Sequence, residues 1–74
     1  MQSTEQVQLI EFLLSRLERV SVDSYWAHRA SGIRGALLKV LEMIEAGKTV
    51  HETRLSGLTE DGFRILRNAA KERA

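Results

Sequence analysis

YWAHRASGIRGALLKVLEMIEAG, residues 25–47, is the stretch whose periodicity decides the fold. Trp26, Ala30, Ile33, Leu37, Val40, Leu41 and Ile44 recur at three- and four-residue spacing, which on an α-helix gathers them along one face. The spacing predicts a helix that starts near Tyr25 and ends at Gly47, where a residue without Cβ can take the left-handed conformation that closes a helix. One apolar face on so long a helix requires another element to cover it.

That element lies upstream. Val7, Ile10, Leu13, Leu14, Leu17 and Val20 form a second stripe of the same kind, with Leu9 and Phe12 beside it, so that this first helix has apolar surface for more than one neighbour. Ser3 and Gln6 match a capping box, which places its start near Thr4. Ser21-Val22-Asp23-Ser24 then interrupts the pattern with side chains that bond local backbone, and Asp23 or Ser24 is expected to cap the second helix. Two such helices fold back as an antiparallel hairpin. Downstream, Thr49 to Glu52 is another capping-box match, opening a short helix that Gly57 is expected to close. Thr59 then caps a last helix, with Leu58 and Phe63 spaced as a hydrophobic staple and Phe63, Leu66, Ala69 and Ala70 as its apolar face, Ile65 lying to one side. The expected fold is all-α, a single domain over residues 1–74: an antiparallel two-helix hairpin, a short helix and a docked C-terminal helix, dimerising into a helical bundle.

Composition narrows the function classes. A chain of 74 residues is near the lower limit for a self-sufficient apolar core, and with no cysteine it has neither disulfides nor thiolate metal sites to support it. Assembly with another chain is the remaining support. The net charge of +1 argues by itself for neither nucleic acid nor an anionic membrane. No apolar run reaches the roughly 18 residues of a membrane span, and the opening MQSTEQ has no basic leader, so the expectation is a cytoplasmic protein without membrane contact.

Gly32 and Gly35 stand inside the second helix, on the side away from its apolar stripe. Each costs about 0.8–1 kcal/mol relative to alanine, a large fraction of a total stability that for a small domain is on the order of 5 kcal/mol. A face that is merely solvated returns nothing for this loss, whereas close approach of another helix backbone does. Ala27, Ser31, Gly32 and Gly35 are therefore the expected interface, and a two-fold homodimer would cross this strip on its own copy. The leading expectation is a small non-enzymatic protein-interaction or regulatory module that acts as a homo-oligomer, with a dimer favoured. A different protein partner is compatible with the same strip.

The alternative is a nucleic-acid-associated regulator. Between Asp23 and Glu42 no acidic residue occurs, and Arg29, Arg34 and Lys39 fall there. Arg64, Arg67 and Lys71 share a face of the last helix, so two basic strips could follow a phosphate backbone. Glu42, Glu60, Asp61 and Glu72 dilute them. The segment from Thr49 to Asn68 has part of the spacing of a helix-turn-helix, but Glu52 and Ser56 stand where that motif is apolar, and Glu60 and Asp61 would face the phosphates. No DNA-reading role is assigned to it. His28 and His51 lack second ligands at helical metal-site spacing, and Asp23 and Ser24 already serve as caps, so no catalytic, cofactor or metal residues are expected. Trp26 is expected to anchor the hairpin, with Tyr25 beside it.

Overall fold

In the computed structural model of this chain, which describes residues 4–72, three helices pack around one core: α1 (Thr4–Leu17), α2 (Ala27–Glu45) and α3 (Glu52–Lys71). No strand occurs among the described residues. The fold is all-α, as the two long stripes require. The molecule measures 40 × 17 × 16 Å, and helices of these lengths fit that envelope only side by side. Leu13 of α1 lies against Gly62 of α3, and Ser24 at the start of the turn into α2 bonds Glu72 just past the end of α3. α1 and α3 therefore run parallel, with α2 antiparallel to both.

The stripes read from the sequence become the core. Ile10, Leu13 and Leu17 come from α1 and Ala30, Leu37 and Val40 from α2, all buried. Leu14, Val20, Trp26, Ile33, Leu41 and Ile44 pack partly buried around them. Ser3, expected to cap α1, lies outside the described residues. Glu5 in the first turn and Arg16 in the last oppose the helix dipole in the favourable sense. Ser24 does act near the start of α2: its Oγ accepts the Trp26 N–H at 3.0 Å, in a turn before the helix proper begins at Ala27, two residues later than expected. α2 then continues through Ser31 and Gly32 without a break. It ends as expected, with Gly47 at φ +80°, the Gly47 N–H on the Ile44 carbonyl at 3.0 Å and the Lys48 N–H on that of Met43 at 2.9 Å.

The C-terminal third departs from expectation. A single helix replaces the predicted short and last helices, because nothing stops it at Gly57: among the described residues only Gly47 has positive φ. Thr59 does not cap. Its hydroxyl donates back to the Leu55 carbonyl at 2.8 Å, the bond of a threonine inside a helix. Nor does Thr49 form a capping box with Glu52, since His51 holds the N-cap position in extended conformation with no side-chain cap bond. Val50, absent from the predicted core, is buried and holds this segment against the bundle.

Continuity of α3 also resets which face is inside. Leu55, Leu58, Gly62, Ile65, Leu66 and Ala69 align when one register runs from Glu52 to Lys71, so Ile65 is buried rather than lateral. Phe63 and Ala70 move to the flank and are exposed, and the expected staple of Leu58 with Phe63 does not form, both residues being interior to one helix. Gly62 is the glycine at which approach is close. A Cβ built there would sit 3.4 Å from Leu13 Cδ2 and 3.5 Å from Cδ1, ordinary van der Waals contact, so the site has room for a methyl group and little more.

The two glycines of α3 should therefore respond differently. At exposed Gly57, where an added Cβ meets nothing, Gly57→Ala should stabilise by about 0.8–1 kcal/mol, a rise of roughly 4–8 °C in Tm. Gly62→Leu should destabilise by about 1–3 kcal/mol through overpacking against Leu13. Thermal and denaturant unfolding followed by circular dichroism measures both.

Candidate functional site

A groove of about 740 Å³ opens between α1 and α3 on the side away from α2. Its walls follow from the register just described. Phe12 on α1 and Phe63 on α3 lie one step outside their helices' buried stripes, and Leu66, Ala69 and Ala70 line the α3 side further along. Phe12 is 47% exposed and Phe63 41%, and Leu9, one turn before Phe12, is 37% exposed. Arg16 and Arg19 form the α1 rim, and the Arg16 guanidinium carbon lies 5.2 Å from the centre of the Phe12 ring, within range of a cation–π contact. The turn from α1 to α2 closes one end. There the Ser24 hydroxyl donates to Glu72 Oε2 at 2.8 Å, which ties the turn to the end of α3. Chemically this is an apolar surface with a basic rim.

The predicted interface residues do not share one strip. Ala27, Ser31 and Gly35 stand in a row at four-residue spacing, with Ala27 half-buried and the other two exposed. Gly32 lies about 60° further round, on the flank facing α3. It enters a smaller groove of about 200 Å³ with Trp26, His28, Arg29, Ile33, Asp61, Arg64 and Ile65. No heavy atom stands within 4 Å of a Cβ built at Gly32 or Gly35.

The basic residues also separate. Arg29 and Arg64 are brought together in the smaller groove, Arg29 over the Trp26 ring at 5.7 Å and Arg64 Nη1 3.7 Å from Asp61 Oδ1. Arg67 and Lys71 continue along the exposed side of α3. Arg34 turns to the other flank of α2, its Nη1 3.5 Å from Glu18 Oε1, and Lys39 is exposed on the outer face. Tyr25 is exposed, with its ring edge-on to Trp26 at 5.5 Å. His28 and His51 are exposed, and no group of three or more His, Asp or Glu among the described residues is placed to hold a metal ion. No helix among the described residues is long and apolar enough to cross a membrane.

One wall of the larger groove is legible in the sequence, since Phe12 falls beside the α1 stripe. The other wall is not, since a separate last helix puts Phe63 on its inner face whereas the single helix α3 turns Leu55, Gly62 and Ile65 inward. Laying one helical register from Leu55 onward would have put Phe63 at the margin. The exposure implies that the groove's aromatics contribute less to folding than the core does. Phe63→Ser should cost about 1 kcal/mol, half of what full burial of such a side chain contributes, whereas Leu13→Ala should cost about 2–5 kcal/mol. Urea unfolding of the two variants compares them directly.

Among known proteins, no family model, no curated protein and no solved structure matches this chain.

Proposed function

We propose that this chain is a small non-enzymatic protein-interaction module that acts as a homo-oligomer, and that the α1–α3 groove is its contact surface. One observation carries the proposal: Phe12 and Phe63 stand exposed on the walls of one groove, with Leu9 exposed one turn before Phe12, on a bundle whose core is complete without them. A contiguous apolar patch with a polar rim is the make-up of a protein contact, and each aromatic that becomes fully covered adds the remainder of its roughly 1.5–3 kcal/mol. Arg16 and Arg19 at the rim add the residue type most enriched, with aromatics, at the centres of such contacts. The row Ala27–Ser31–Gly35 on α2, with exposed Leu38 beside it, is a second surface that a helix could approach closely. Leu38 is its one exposed large hydrophobic residue, whereas the groove has both Phe12 and Phe63, which supports the groove as the main contact.

A second reading has its own observation in its favour. Arg29 and Arg64 share one groove, and Arg67 and Lys71 extend the line of cations along α3, as a track for a phosphate backbone would require. Asp61 beside Arg64 weakens the field there.

Sedimentation at tens of micromolar is expected to give at least twice the single-chain mass, falling towards one on dilution. Phe12→Asp should abolish association. Gly35→Ala should leave it intact while stabilising the fold by about 1 kcal/mol. A chain that stays single at every concentration overturns the proposal. If it also binds labelled random duplex at low salt with an affinity that falls steeply as salt rises, the nucleic-acid reading replaces it.

A further inference from the structure

The exposed side of α1 changes character along its length in a regular order. Glu5, Leu9, Phe12 and Arg16 fall within a sector of about 60° on the helix surface, all four exposed, and Arg19 follows on the same groove rim. The order is acidic, apolar, apolar, basic. Neither Glu5 nor Arg16 forms an ion pair among the described residues, where the pairs are Arg34 with Glu18 and Arg64 with Asp61. Arg16 instead lies over Phe12, which leaves its guanidinium at the edge of the apolar patch.

Such a stripe complements its own reverse. We infer that the partner is a second copy of this chain, docked through α1 running antiparallel to α1 about a two-fold axis that passes between Leu9 and Phe12. This contact rests on the homo-oligomer proposed above and specifies its geometry. Glu5 and Arg16 are equidistant from that axis, each five and a half residues or about 8 Å along the helix, so Glu5 of each copy meets Arg16 of the other. Leu9 meets Phe12 in the same register. Because a two-fold contact repeats every pairing, one match on the helix produces two ion pairs and two apolar pairs across the interface. A parallel arrangement would set Glu5 against Glu5 and Arg16 against Arg16, which like-charge repulsion disfavours. An anionic lipid surface would meet Glu5 at one end of the patch, whereas the second copy satisfies both ends. Phe63 on α3, across the groove from Phe12, widens the apolar area that the second copy covers.

Charge reversal on the whole chain tests the geometry, read by sedimentation over a range of concentrations with circular dichroism as the control for folding. Glu5→Arg should weaken association by about tenfold or more, because it places two cations together at both ends of the contact, and Arg16→Glu should do the same with two anions. The double variant Glu5→Arg/Arg16→Glu should recover association. An equimolar mixture of the two single variants should associate with each other although neither does so alone. Loss of the favourable helix-dipole placement cannot produce this pattern, since the double variant has both unfavourable ends. If the wild-type chain associates and both single variants associate equally well, the antiparallel α1 contact is overturned while the homo-oligomer stands. A wild-type chain that remains single overturns both.

Discussion

The packing of Leu13 of α1 against α3 at Gly62 is the contact on which the arrangement of this protein depends. α1 and α2 are neighbours in sequence, as are α2 and α3, and short connections bring each pair together. α1 and α3 have no such tie. Their parallel alignment is set by side-chain fit, and Leu13 of α1 is fully buried where it packs against Gly62 of α3. At Gly62 the space between the two helices holds the Leu13 side chain and has room for no substituent larger than a methyl group. The flank of each helix is then left with a residue just too far round to enter the core, Phe12 on one and Phe63 on the other. The aromatic walls of the groove follow from the registers of the two helices.

Much of this was legible in the residues. Apolar spacing located α1 and α2 and nearly all of their buried side chains, and Gly47 marked the end of α2 because a left-handed position is a local demand that glycine meets at no steric cost. The third helix was not legible in the same way. Gly57, Thr59 and the Thr49–Glu52 pair all have the local chemistry of helix ends, and each was read as one. Burial of Leu55, Leu58 and Ile65 on a single face outweighs these local preferences, each of which amounts to about 1 kcal/mol. A helix divided at Gly57 would lose the common register and with it part of the core.

The candidate site shows the same division. Gly32 and Gly35 have a helix cost that the sequence alone states, yet they lie about 60° apart on α2 and a Cβ built at either meets no atom within 4 Å. What lies between α1 and α3 depends on the tertiary register of α3, since a phenylalanine next to the buried stripe can turn inward or outward. Charge behaved similarly. Arg29 and Arg64, far apart in sequence, share a groove, while Arg34, close to Arg29, is turned away to Glu18. Helical periodicity places a residue on its own element, and only packing assigns it to a neighbour.

The core contains no buried polar or charged side chain among the described residues. Its interior thus lacks any directional bond that would penalise one helix for sliding or screwing past another. Alignment depends on the fit of apolar side chains, with the Ser24–Glu72 hydrogen bond as a latch at the rim. A bundle held in this way is expected to accept many aliphatic exchanges, and to lose its unique alignment before it loses its helices.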